Sequence, residues 1–199
     1  MKAFVIGFPK SGTSTLQDAF TRSGLKSAHW RIKDGGYVGR MIYQSFLNGR
    51  DPLEKLADFD VIAQADVCVP GQKVNCWPQL DFSVLAAIRK YHPECVFILN
   101  RRPSQDIASS ILRWNDFSKR LEQSDIPGLP RGYGTKAKHL VQWIDAHCEA
   151  ARLFFKNDPN FLELDILDPE APEKLGAAIK TPILWWGQSN VNRRQPSAA

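Results

Sequence analysis

Residues 7–14 read Gly-Phe-Pro-Lys-Ser-Gly-Thr-Ser, and they constrain the fold more than any other stretch of the chain. They follow the apolar run Lys2-Ala3-Phe4-Val5-Ile6, which ends at Gly7 and reads as a buried strand. They precede Leu16, Ala19 and Phe20 at helical spacing, with Gly24 placed to end a helix over 13–23. Glycines let the backbone turn tightly and aim several N–H groups at one anion. The N-terminus of the following helix adds partial positive charge at the same place. Ser11, Thr13 and Ser14 supply hydroxyl donors. Strand, turn and helix together form a cradle for a phosphate-like anion, and the plain alternative is a Gly/Pro turn with no ligand.

The rest of the chain continues the alternation. Strands are predicted over 27–32, 59–65, 95–99 and 161–164, and helices over 38–46, 80–91, 104–114, 136–155 and 169–179. His92-Pro93 stops one helix, because the residue before proline avoids the helical region. Ser104 is placed to cap another. Residues 69–78 read as loop, and 124–134, with two prolines and three glycines, read as the longest loop and a candidate lid. Strands alternating with helices imply an α/β fold of three layers around a central parallel sheet of about five strands. One domain over 1–187 and a polar tail over 188–199, disordered in its last few residues, account for the length of 199 residues.

Composition narrows the partners. A net charge of +5 suits anionic ligands, while Arg101-Arg102 and Arg193-Arg194 are doublets and not the basic stripe that nucleic acid requires. No apolar stretch approaches a membrane span, and the run 3–6 is too short for a secretory leader. Cys68, Cys76, Cys95 and Cys148 form no C-x-x-C pair, which argues against zinc and suits a reducing, cytoplasmic setting.

The loop nearly matches the nucleoside triphosphate motif G-x-x-x-x-G-K-[ST], but Thr13 stands where that motif has lysine and Lys10 sits inside the turn. A ligand with one phosphate in the loop and a reactive bond beside Lys10 fits better than a metal-bound triphosphate. Pro9-Lys10-Ser11-Gly12-Thr13 resembles the 5′-phosphosulfate loop of sulfotransferases, P-K-[ST]-G-T. Arg101-Arg102-Pro103 with Ser109, directly after a predicted strand, resembles that family's R-x-P-x-x-x-x-x-S segment. Asp168-Pro169-Glu170 resembles its late "D-P-E" turn. The resemblance reaches from about residue 3 to about residue 180 and implies a fold like that of the P-loop nucleoside triphosphate hydrolases. It implies 3′-phosphoadenosine 5′-phosphosulfate as donor, with Lys10 on the bridging oxygen and Pro9, Ser11, Gly12, Thr13 and Ser14 around the 5′-phosphate. It also implies Arg101 and Ser109 on the 3′-phosphate. Arg102 is either a second phosphate ligand or a solvated surface residue, and Ser110 takes Ser109's part if the register moves by one.

Sulfonate transfer to a hydroxyl or amine acceptor, a small molecule or a glycan, needs a base. Asp66, after the third strand, is favoured; His29, near the end of the second, competes. The K-x-H segment that longer family members carry after the third strand is absent, so the acceptor is left open. Two other readings remain: a small P-loop kinase, in which Asp66 would hold magnesium, and a non-catalytic protein that binds adenosine bisphosphate. Trp185-Trp186, Asn192 and Arg193 are further candidates for nucleotide contact or for simple packing.

Overall fold

The computed structural model describes residues 1–189. In chain order the elements are β1 (Ala3–Val5), α1 (Thr13–Arg22), β2 (Ser27–His29), α2 (Val38–Leu47), β3 (Val61–Gln64), β4 (Val67–Val69) and β5 (Val74–Cys76). There follow α3 (Phe82–Tyr91), β6 (Val96–Arg101), α4 (Ser104–Arg113), α5 (Phe117–Glu122), α6 (Ala137–Phe154), β7 (Phe161–Asp165) and α7 (Ala171–Ala178). Five strands form one parallel sheet in the order β2-β3-β1-β6-β7.

Side chains alternate across a strand, so a sheet covered on both faces needs apolar residues at every position. The central strands β1, β3 and β6 obey this until their carboxyl ends, where Gln64, Asn100 and Arg101 stand. Phe4, Ile62, Phe97 and Leu99 face α2, α3 and α6, packing on Ile42, Leu85, Ile88 and Ala151. Ala3, Val5, Val61 and Ile98 face α1 and α7, packing on Leu16, Phe20, Ala171 and Leu175. The result is a three-layer α/β fold. Each large side chain sealed here, such as Phe4, Phe20 or Phe97, contributes about 2 kcal/mol by leaving water. A separate cluster of Phe8, Trp77, Ile107, Ile111, Phe117, Leu140, Trp143 and Ile144 joins α4, α5 and α6 beside the carboxyl ends of the strands.

From β1 the chain first builds β2 and β3 on one side, then β6 and β7 on the other. The winding reverses beside β1, and in open parallel sheets the crevice outside the strand ends at such a reversal is where ligands sit. The loop 7–14 lies there.

Several sequence expectations change. Residues 69–78 are not simply loop: β4 and β5 pair as an antiparallel hairpin around Pro70-Gly71. The helix from 104 ends at Arg113, and α5 follows as a separate turn and a half. Ser104 does not cap α4; Pro103 occupies the cap position, without a side-chain hydrogen bond. Residues 182–187 run back over α1, where the Leu184 amide donates to Ser23 Oγ at 2.9 Å and Arg22 lies 4.3 Å from the Trp185 ring. Trp185 thus packs on a cation, the simpler of its two readings. The expected disorder of the tail from 190 onward, and any contact by Asn192 or Arg193, lie outside the described residues. Among the described residues no helix is long and apolar enough to cross a membrane.

Candidate functional site

A cavity of about 880 Å³ opens at the carboxyl ends of β1, β3 and β6. Its floor is the loop after β1. Lys10 adopts φ 71° and Gly12 φ 99°, the left-handed region that reverses the chain before α1. A Cβ on Gly12 would stand 2.5 Å from Ile166 Cδ1, and one on Gly7 would stand 2.1 Å from Asn100 Oδ1. Only glycine lets the loop lie this close to the β6 and β7 ends. No side chain caps α1, so its first N–H groups are left for a ligand at the cavity floor.

Pro9, Lys10, Gly12, Thr13 and Ser14 line the cavity. Ser11 does not. It is buried, its Oγ–H donates to Phe8 O at 2.6 Å, and Asn100 Nδ2 donates to its carbonyl at 3.0 Å. Ser11 therefore shapes the loop from beneath. His147 of α6 does the same one step earlier, donating from Nε2 to Ile6 O at 2.8 Å; burial lowers its pKa to about 4. His147 sits on the apolar stripe Leu140, Ile144, Ala151 of α6. A polar residue on that stripe is a signal legible in the sequence.

Lys10 extends over Trp114, with Nζ 4.3 Å from the ring centroid, and no carboxylate pairs with it among the described residues. Burial, and secondarily the neighbouring Arg102, hold its pKa below the usual lysine value. Arg102 donates from Nη1 to Lys10 O at 3.2 Å, and its buried Nε has no partner among the described residues. Arg31, Arg113 and Arg120 also line the space, so five cationic side chains meet two carboxylates, Asp66 and Asp106.

Arg101 and Ser109 stand elsewhere. Arg101 has the strand parity of Phe97 and Leu99, so it points to the α6 face, where it pairs with Glu163. Arg152 holds the same carboxylate at 2.8 and 2.9 Å and, with Arg101, keeps it ionised down to about pH 2. Ser109 Oγ accepts from Arg113 Nη1 outside the cavity. Their neighbours Arg102 and Ser110 line it instead.

Asp66 lies two residues past β3, is 5% exposed and lines the cavity. Burial pushes its pKa up to about 7 against the hydrogen bond from Gln64. Gln64 Nε2 donates to Oδ2 at 3.0 Å and Gln79 Nε2 to Oδ1 at 3.2 Å. Gln64 in turn accepts from Thr13 Oγ1 at 2.8 Å, which ties Asp66 to the anion loop. Gln64 carries no motif in sequence: it is a single amide between Ala63 and Ala65 at the end of an apolar run. His29 also lines the cavity; its Nε2 has no partner among the described residues, and burial lowers its pKa to about 4 despite Asp18 nearby. It is a neutral imidazole at pH 7.

The loop 124–134 is not a lid in this geometry. Ile126 and Leu129 are buried, Trp143 Nε1 donates to Pro127 O at 2.8 Å, and no residue of the loop lines the cavity.

The site therefore offers an anion cradle, an uncompensated lysine, four arginines and one buried carboxyl poised near neutral pH. No family model matches the chain, and no curated protein matches it.

Proposed function

We propose that the protein is a sulfotransferase that uses 3′-phosphoadenosine 5′-phosphosulfate, with the P-loop type of architecture and a cytoplasmic setting. The observation that carries this reading is Lys10: a cation inside the anion loop, free of carboxylate partners among the described residues, while Thr13 holds the position where a triphosphate loop needs lysine. Thr13 is also engaged with Gln64.

In this reading the 5′-phosphate rests on the first turn of α1 and on Thr13 and Ser14, and Lys10 meets the oxygen between phosphorus and sulfur. The acceptor oxygen or nitrogen attacks sulfur, the bond from sulfur to the phosphate oxygen breaks, and adenosine 3′,5′-bisphosphate leaves. Lys10 stabilises the negative charge that grows on the leaving phosphate. The acceptor proton passes to Asp66, whose carboxyl near pH 7 is matched to that task. His29, neutral and with Nε2 open, is the alternative base. The second phosphate of the donor falls to Arg102 and Ser110, which line the cavity, in preference to Arg101 and Ser109, which do not.

The test is sulfonate transfer from radiolabelled donor to a panel of hydroxyl and amine acceptors, with EDTA present. Turnover that survives EDTA and drops at least about 10²-fold in Lys10→Ala supports the reading. Phosphoryl transfer from ATP that requires magnesium contradicts it and favours the kinase.

A further inference from the structure

A cation in a partly buried cavity normally has a carboxylate beside it. Lys10 has an aromatic ring. Its Nζ stands 4.3 Å from the Trp114 centroid, and no carboxylate lies within ion-pair distance of it among the described residues. Trp114 is fixed from three sides: it ends α4 at φ −89° and ψ 89°, its N–H bonds Ile111 O at 3.2 Å, and its ring lies 4.9 Å from Phe117. Arg120 approaches the same ring at 5.9 Å and that of Phe117 at 5.0 Å. The lysine backbone adopts a left-handed conformation that disfavours side-chain-bearing residues, so the loop accepts strain at the residue that presents the ammonium.

We infer that Trp114 is a positioning residue for Lys10: the indole face holds the ammonium in the cavity without neutralising it, and so keeps it available to an incoming anion. A carboxylate at this distance would hold the lysine as a closed ion pair that an anionic ligand must first break. A ring quadrupole attracts the cation by a smaller amount and leaves its charge intact. The other ionisable groups facing the same space are Asp66, Asp106, His29, Tyr37, Cys68, Arg31, Arg102, Arg113 and Arg120; the arginines oppose the charge on Lys10, which is why a ring beneath it matters. The use of this device in catalysis rests on the sulfonate-transfer reading; the device itself does not.

The experiment is an NMR titration of the Lys10 side chain in the ligand-free protein, selectively lysine-labelled and assigned with Lys10→Arg, in wild type, Trp114→Phe and Trp114→Leu. The ring stabilises the ammonium, so its removal lowers the Lys10 midpoint further. Trp114→Leu is expected to lower it by about one pH unit and Trp114→Phe by less than half of that. Thermal melting confirms that each variant is folded, and a variant that fails this is replaced by Trp114→Met. A folded Trp114→Leu or Trp114→Met with the wild-type midpoint overturns the inference. Failure of the wild type to bind adenosine 3′,5′-bisphosphate would sink the donor reading and leave this result standing.

Discussion

At the scale of single residues, Asp66 is the buried carboxyl of the pocket. Its carboxyl ionises near pH 4 in an unfolded chain and near 7 in the native one, so between those values the native state keeps a proton that the unfolded state has released. Asp66 therefore costs stability progressively as pH rises through that window. His29 and His147 act oppositely, since burial lowers each from 6.5 to about 4 and the unfolded state binds the extra protons. The difference between Asp66→Asn and wild type isolates the carboxyl. It is expected to grow by about 3 kcal/mol in the variant's favour from pH 4 to pH 7, read by urea unfolding at a series of pH values. The Asn amide has an acceptor waiting, because Gln79 Oε1 is buried without a partner among the described residues. Identical pH profiles would contradict the burial of an ionisable Asp66. At the same scale, Arg102→Ala should lose at least about tenfold in preference for adenosine 3′,5′-bisphosphate over 5′-AMP, with Arg101→Ala close to wild type. The reverse order would assign the second phosphate to the strand edge. The sequence motif pointed to Arg101 because a motif ignores strand parity; alternation from Phe97 and Leu99 already aims Arg101 at α6.

The elements legible in sequence are those that carry a helical period or lie in a continuous apolar run. α6, with Leu140, Ile144 and Ala151 on one stripe, and the apolar runs of β1, β3 and β6 follow directly from residue pattern. The β4–β5 hairpin and α5 do not. Three-residue strands around Pro70-Gly71 and a six-residue helix are held because Cys68, Trp77, Phe117 and Leu121 pack with Ile107, Leu140 and Trp143 of distant helices, which no local window contains. Residues 124–134 show why a long glycine-rich stretch is not by itself mobile. Trp143 and Asn75 each donate into it, at 2.8 and 2.7 Å. Trp143→Phe removes one of these bonds, with a cost of about 1 kcal/mol. Amide exchange in 124–134 should accelerate while nucleotide binding is kept. Unchanged exchange over 124–134 would show that this bond does not hold the loop.

For the molecule as a whole, the parallel five-stranded sheet places the carboxyl ends of its strands on one side, and the reversal beside β1 gathers the loop 7–14, Asp66 and Arg102 into one crevice. The excess of five cations over two carboxylates there makes ligand entry electrostatic. Affinity for a bisphosphate should accordingly fall with added salt, more steeply than for 5′-AMP. The central claim is that this crevice is built for a nucleotide with two separate phosphates and no metal. Calorimetry of adenosine 3′,5′-bisphosphate against 5′-AMP and ATP, in EDTA and again with magnesium, tests it most directly. The bisphosphate should bind at least about tenfold more tightly than either competitor, with magnesium making no difference. Preferential binding of ATP that requires magnesium would contradict it.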